Sequence, residues 1–246
     1  MERHSELREI WQALAEHSGF PEPYLSGRTT AYRRWSGAFA EQLIREDIRD
    51  LTGIKAIAEV ETLYHLLPAQ VGQLLSVPAL AQGLQVAYNT IRSWLATLQR
   101  FFAVFSITPW TRGVPRAIRE GQKIYLCDSP RVRDPDARFE NMVALELARA
   151  ASSWNEMGYG RFSLNFIRTK DQQEVDFILT DDGRPFLLVD ARAQDHHPSA
   201  ALMKFQAALR VPAVQLVRAA EGYRRVSNDE QSILIAPACQ YLAGLP

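Results

Sequence analysis

The stretch EVDFILTDDGRPFLLVDAR, Glu174 to Arg192, decides the fold. Two apolar runs flank DDGR, the pattern of two antiparallel strands joined by a tight turn. Each run carries an acid where a core strand should be apolar, Asp176 in the first and Asp190 in the second. If the turn centres on Gly183, as a three- or five-residue loop allows, the two acids face each other. A two-residue turn at Asp182-Gly183 puts them on opposite faces. Arg192 lies two residues beyond Asp190 and shares its face. Opposed carboxylates have Cβ atoms about 5 Å apart and repel. Mg²⁺ relieves that repulsion, since it accepts one or two carboxylates with waters and phosphate oxygens and activates water for phosphodiester attack. A neighbouring arginine relieves it equally as a plain ion pair, and Arg192 is such a residue. Both solutions stay open at this point.

Outward from the hairpin, RFENMVALELARAASSW reads as a helix and RFSLNFIRT alternates as a strand. SAALMKFQAALR is a helix and VPAVQLV a strand, so strand, helix, strand after PFLLVDAR is a βαβ crossover with a parallel pair. The fold class is therefore α/β, α+β overall: a mixed sheet with at least one hairpin and helices on its faces. Glu174 shares a face with Asp176 and reads as an exposed charge at a strand start, or else as a third acid. His196 and His197 follow the hairpin, but adjacent residues rarely point to one ion.

The N-terminal half is helical. Residues 1–58 form a helical segment broken by the Pro/Gly stretch GFPEPYLSG, Gly19–Gly27, expected as a loop. Tyr32, Trp35, Phe39, Leu43 and Ile44 recur near helical spacing. Residues 59–112 read as three helices and an extended piece, the plan of a winged helix, leaving 113–246 for the mixed sheet. Ser76 is the expected N-cap of the second helix, with Pro78 in its first turn. In the third, Ile91, Trp94, Leu95, Leu98 and Phe102 are expected on one face, and Asn89, Thr90, Arg92, Ser93 and Thr97 on the other. In a helix-turn-helix the start of such a polar face lies in the major groove, where Asn and Arg are bidentate readers of adenine and guanine. Asn89, Thr90, Arg92 and Ser93 are thus the candidate DNA contacts. A helical hairpin with a solvated face is the plainer alternative. Arg112, Arg116, Arg119, Arg131, Arg133 and Arg138 around the strand KIYLC read as a basic wing on a phosphate backbone or as a mixed surface of ion pairs with Asp128, Asp134 and Asp136.

Bulk composition narrows the classes. With 28 basic and 28 acidic residues in 246, formal charge is zero, which argues against gripping nucleic acid by overall electrostatics. No apolar run reaches the length of a membrane span, and the charged N-terminus lacks a signal-peptide core. Two cysteines, far apart in sequence, suggest neither a disulfide framework nor a thiol nucleophile and suit a reducing, cytoplasmic setting. No Gly-x-Ser-x-Gly elbow occurs.

Three stretches together, RFENMVALEL, FIRTKDQQEVDFILTDDGRPFLLVDAR and GFPEPYL…RRW…LIREDIRDL, resemble the C-terminal half of a family of prokaryotic AAA-type ATPases. The resemblance runs from about residue 18 to the end. It implies a winged helix followed by a PD-(D/E)xK restriction-endonuclease-like domain. It further implies that Glu140 is the acid supplied by the helix, Asp176 the first motif acid, and Asp190 and Arg192 the positions of the family's Glu-x-Lys pair. Asp176 and Asp190 are then the metal ligands. Two departures follow. Arg192 replaces the lysine, and a guanidinium keeps its proton, so it stabilises charge but cannot act as a base. No GxxxxGK[ST] occurs, so this chain by itself is not a P-loop ATPase, and a split, truncated or remnant partner of one is expected. The expectation is a DNA- or protein-binding module, with DNA, a protein or a second copy as partner, no membrane and no cofactor. The alternative is a Mg²⁺-dependent deoxyribonuclease.

Overall fold

The computed structural model describes residues 2–194, 197–219, 222–228 and 231–246. Two units emerge from its contacts. One comprises Met1–Trp11, Ile107–Gln122 and Phe139–Pro246, the other Gln12–Ser106 and Lys123–Arg138. Helix α1 (Glu2–His17) and strand β1 run from one unit into the other.

The second unit is mainly helical. GFPEPYLSG is not a loop throughout: Pro21–Ser26 is a short helix, α2. Proline fits its first turn, where no N–H is needed, and Gly27 ends it at φ 59°. Helix α3 (Thr29–Glu41) continues through a π-helical stretch, Gln42–Ile48, into α4 (Arg49–Thr52). Leu43, Ile44 and Ile48 of the π stretch are buried, and Trp35 stacks on Phe39 with Phe20 against both. Helix α5 (Ile57–Leu66) is followed by α6 (Val77–Gly83), where Ser76 Oγ accepts the Ala79 N–H at 3.3 Å as expected of the N-cap. Helix α7 (Tyr88–Arg100) buries Ile91, Trp94, Leu95 and Leu98. Two expectations for it fail. Thr97 is buried, its hydroxyl donating to the Ser93 carbonyl. Phe102 lies beyond the helix at φ 54° and is 78% exposed, because the chain has already turned left-handed there. The first half of β1 (Val104–Pro109) and β2 (Lys123–Leu126) complete this unit, with Phe105 stacked on Tyr125 and Leu74 bridged to Lys123. All four residues of β2 are buried, Lys123 included.

The first unit is built on a mixed sheet. Its helix α8 (Pro135–Glu156) precedes β3 (Phe162–Arg168), β4 (Glu174–Asp181) and β5 (Arg184–Arg192). Helix α9 (Ala200–Leu209) leads to β6 (Ala213–Val217), β7 (Arg224–Asn228), β8 (Gln231–Pro237) and α10 (Ala238–Leu242). The strand order from the second half of β1 is β1-β3-β4-β5-β6-β8-β7. Pairs β3–β4, β4–β5 and β7–β8 are antiparallel, while β1–β3, β5–β6 and β6–β8 are parallel. The protein is thus mixed α/β, with the expected hairpin and βαβ crossover both present. Leu202 and Phe205 of α9 pack into a core with Val175, Ile178, Leu188, Ala213 and Ile233. Truncating one such side chain to alanine costs about 2–5 kcal/mol. The edge strand β7 shows Arg224 and Arg225 to solvent, charges that discourage pairing with another chain. Among the described residues no helix is long and apolar enough to cross a membrane.

Candidate functional site

The turn between β4 and β5 is the two-residue kind. Asp182 and Gly183 stand at φ 49° and 73°, and Asp181 pairs with Arg184 and Thr180 with Pro185. Left alone, that turn puts Asp176 and Asp190 on opposite faces. The register then shifts: Leu179 pairs with Leu187, Ile178 with Leu188 and Phe177 with Val189, leaving Phe186 as an extra residue, 44% exposed. This bulge moves β5 on by one residue, and the next step in the register sets Asp176 across from Asp190. The turn is the shorter of the two alternatives, yet the bulge has the effect a longer loop would have on which face each side chain takes. A second shift separates the pairs Asn165–Ile178 and Ile167–Val175. Asp176 and Phe177 therefore lie against Phe166 alone, a second bulge beside the acids.

Asp190 is fully buried. Its Oδ2 accepts two hydrogen bonds from Arg192, Nε at 3.0 Å and Nη2 at 2.9 Å. Its Oδ1 is buried without a hydrogen-bond partner. The Arg192 side chain remains 41% exposed. Asp176, half-buried, accepts the Ala191 backbone N–H through Oδ2 at 2.9 Å. Arg192 thus forms an ion pair with Asp190, while Asp176 takes a backbone N–H. Asp190 sits beside Gln215, its partner on β6. Gln215, also fully buried, accepts the Ser199 N–H and donates to the His197 carbonyl, tying down the start of α9. Sequence reasoning passed over Gln215, whose signal was a polar residue in the middle of the apolar run VPAVQLV.

Glu140 is half-buried in the second turn of α8. Glu174 is not an exposed strand-end charge: it pairs with Arg168 at 2.7 Å, with 18% of its side chain exposed. His197 gives its carbonyl to Gln215, and His196 lies outside the described residues. Among the described residues, no three of His, Cys, Asp and Glu gather into a group that could hold a metal. Mg²⁺ requires a near-octahedral oxygen shell. Here Asp190 Oδ2 is engaged by a guanidinium and Asp176 Oδ2 by a backbone N–H, so the set as arranged does not fit that ion.

In the second unit, α6 and α7 form a helix pair joined by residues 84–87, followed by β1 and β2. Asn89, Arg92 and Ser93 are exposed on α7 and Thr90 is half-buried. Tyr88 is also exposed, with the Arg92 guanidinium 6.0 Å from its ring centroid. Three of the arginines around β2 have partners. Arg116 pairs with Asp171, Arg138 donates to the Ala15 carbonyl, and Arg131 lies over the Tyr64 ring.

A buried polar cluster in the same unit was missed. Asp128 is 1% exposed, and its Oδ2 accepts Tyr32 Oη at 3.1 Å and Ser36 Oγ at 3.0 Å. Burial raises its pKa, against the lowering effect of those hydroxyls and of the Arg131 charge. Burial also raises the Tyr32 phenol, and brings Tyr64 to about 12 and the Cys127 thiol to about 11. The sequence signal was faint, one acid directly after the apolar run KIYLC.

Over residues 5–130, just over half of its length, the sequence matches the family described as Domain of unknown function (DUF8612). The chain belongs to that family. This DUF8612 chain is also 23% identical over 192 residues to the uncharacterized protein Rv2008c of Mycobacterium tuberculosis (strain ATCC 25618 / H37Rv). The same figures hold for the uncharacterized protein Mb2031c of Mycobacterium bovis (strain ATCC BAA-935 / AF2122/97). In each case the match takes in 73% of this chain and 43% of the relative, so the DUF8612 chain spans less than half the length of these proteins. A solved structure, the half-complex from the tetradecameric assembly of Thermococcus gammatolerans McrB AAA+ hexamers with bound McrC, is similar at 12% identity. That likeness covers 71% of this chain and 46% of the other, with a TM-score of 0.30. At that score it bears on neither fold nor function.

Proposed function

We propose that this chain is a DNA-binding module, in which α6 and α7 act as a winged helix and the hairpin sheet is a nuclease-like domain with a degenerate site. The observation that carries the first half is the division of α7. Its apolar face is wholly buried, while Asn89, Arg92 and Ser93, all near its N-terminus, are exposed. That is the end of a recognition helix that reaches bases. Zero net charge makes the expected grip local, through a few side chains. The second half rests on Arg192, which neutralises Asp190 directly. Resemblance to the C-terminal half of AAA-type ATPases agrees with both halves, and a cytoplasmic setting follows from it.

The test is duplex-DNA binding by fluorescence anisotropy across a salt series. Affinity that falls as salt rises, and falls further in Arg92→Ala, supports the reading. Binding that is flat in salt, or absent, turns it toward a protein partner or a second copy on the same face.

A Mg²⁺-dependent deoxyribonuclease is the second reading, favoured by one observation: the buried, unpartnered Oδ1 of Asp190. In that reading Asp176 and Asp190 would hold the ion, which would activate water, and Glu140 would be the acid that the resemblance assigns to α8. Calorimetric titration of Mg²⁺ and Mn²⁺ into wild type and Asp176→Ala separates the two. Saturable binding lost in the variant supports the nuclease, and no heat at millimolar metal supports the degenerate site.

A further inference from the structure

A cleft of about 1090 Å³ opens within the second unit, lined in part by Arg33, Ser36, His65, Arg131, Arg133 and Asp134. Its polar groups are unevenly matched. Arg131 follows Pro130 in a tight turn and lies over the buried Tyr64 ring, 4.3 Å from guanidinium carbon to centroid. Its Nη2 meets His65 Nδ1 at 3.0 Å and its Nη1 meets Ser36 Oγ at 3.4 Å, while Nε is buried without a partner. No carboxylate pairs with Arg131 directly among the described residues.

The acids nearby hydrogen-bond to other groups, although Asp134 also lines the cleft. Asp134 Oδ1 already accepts the N–H groups of Asp136 and Ala137 at the start of α8. Asp128 lies behind Ser36, which donates to it while accepting from Arg131, so the two charges attract across the hydroxyl without a direct ion pair. Arg33 and Arg133 are exposed and form no ion pair among the described residues.

The contact with Arg131 also fixes His65. A guanidinium has no lone pair to offer, so Nδ1 must be the acceptor. The ring is then neutral and carries its proton on Nε2. Burial and the neighbouring cation both lower its pKa, in keeping with that form. The cleft therefore offers donors from Arg131 and His65 and positive charge from Arg33 and Arg133, with no carboxylate directly paired to these cations. A partly buried cation with no directly paired anion gains from a negative group that joins it. Forked guanidinium donors are well matched to phosphate oxygens, and the volume is of the order of small-molecule clefts, roughly 300–1,000 Å³.

We propose that this cleft binds a phosphate group, with Arg131 and His65 as hydrogen-bond donors and Arg33 and Arg133 as the surrounding charge. The group belongs either to a free phosphorylated small molecule or to a nucleic-acid backbone. This inference does not depend on the role proposed for α7.

The test is calorimetric titration of the full chain with inorganic phosphate and pyrophosphate at low ionic strength. Saturable binding is expected, weakened about tenfold or more in Arg131→Lys, which keeps the charge but loses the fork. Arg131 packs on Tyr64, so a second variant on the exposed rim, Arg33→Ala with Arg133→Ala, guards against a folding artefact. It should weaken binding and flatten its salt dependence. No saturable heat with either anion at millimolar concentration overturns the proposal, as does binding that both variants leave unchanged. Competition assigns the source. Pyrophosphate that displaces a duplex oligonucleotide places a backbone phosphate in the cleft, and pyrophosphate binding that leaves DNA binding untouched points to a free phosphorylated molecule.

Discussion

Arg192 gives two hydrogen bonds to a single oxygen of Asp190 and leaves the other oxygen, fully buried, with none. The pair is lopsided: the acid is inaccessible and the base is 41% exposed. Removing the base strands a buried charge. Arg192→Ala is therefore expected to lose about 1–3 kcal/mol of stability. Asp190→Asn in that background should return part of the loss, because an amide tolerates burial better than an unpaired carboxylate. Chemical denaturation of the two single variants and the double variant measures this. Additivity within about 0.3 kcal/mol means that the two side chains are not coupled.

The turn that positions this pair has its own requirement. Gly183 stands at φ 73°, and a Cβ there comes within 2.7 Å of Arg112 Nη1. The tip of an arginine moves aside cheaply, so backbone conformation is the larger cost. Gly183→Ala should lose about 1–2 kcal/mol, and Arg112→Ala should fail to recover it. Thermal melts of the three variants decide, and full recovery in the double variant would make the steric term dominant.

How much of this was legible follows from the same hairpin. The two apolar runs flanking DDGR in Glu174–Arg192 identified both strands, and the βαβ pattern identified the parallel neighbour. The facing of the two acids could not be read, because a bulge leaves no signature in composition: Phe186 is an aromatic inside an apolar run and looks like any strand residue. The π-helical stretch at Gln42–Ile48 was invisible for a like reason, since its apolar residues fit an ordinary helical period locally. Strand β7 went unread because polar YRRVSN lacks a strand's alternation. The Asp128 cluster gathers residues far apart in sequence, Tyr32 lying 96 positions away, and no local pattern announces it.

Asp128 should leave a mark on the pH dependence of stability. Its folded pKa lies above the ordinary 3.8, so the folded state keeps this proton to higher pH than the unfolded chain does. Its contribution is greatest below the unfolded value and is lost as pH rises through the folded value. Asp128→Asn cannot ionise and keeps an acceptor for Tyr32 and Ser36. Relative to wild type, the variant should therefore gain stability as pH rises above about 4. Denaturation midpoints at a series of pH values test this through the difference between the two proteins, which cancels the other carboxylates. A difference that is flat, or that shrinks with rising pH, refutes the assignment.

Cys127 lies in the same surroundings, its thiol raised to about 11 by burial and by Asp128. Thiolate is the reactive form, so at pH 8 only on the order of one molecule in a thousand carries it. The native protein should resist iodoacetamide at Cys127, and the denatured chain should be labelled readily. Peptide mass spectrometry reads both. Rapid native labelling of Cys127 would show that the thiol is neither as buried nor as protonated as its neighbours require.

The exposed start of α7 makes the sharpest functional prediction. If Asn89 and Arg92 read bases, each loss is specific to sequence. Replacement by alanine should cost about 1–3 kcal/mol on the preferred site and much less on unrelated duplex. A residue that only touches phosphate behaves differently, weakening all sequences alike and lowering the salt slope. Selection from a random duplex library with wild type, Asn89→Ala and Arg92→Ala distinguishes the two patterns. Thr97→Ala is the control: its side chain is buried against the Ser93 carbonyl, so it should alter stability and leave the selected sequence unchanged. An equal loss from Thr97→Ala and Arg92→Ala would mean that α7 acts by packing, and would remove the helix from the DNA interface.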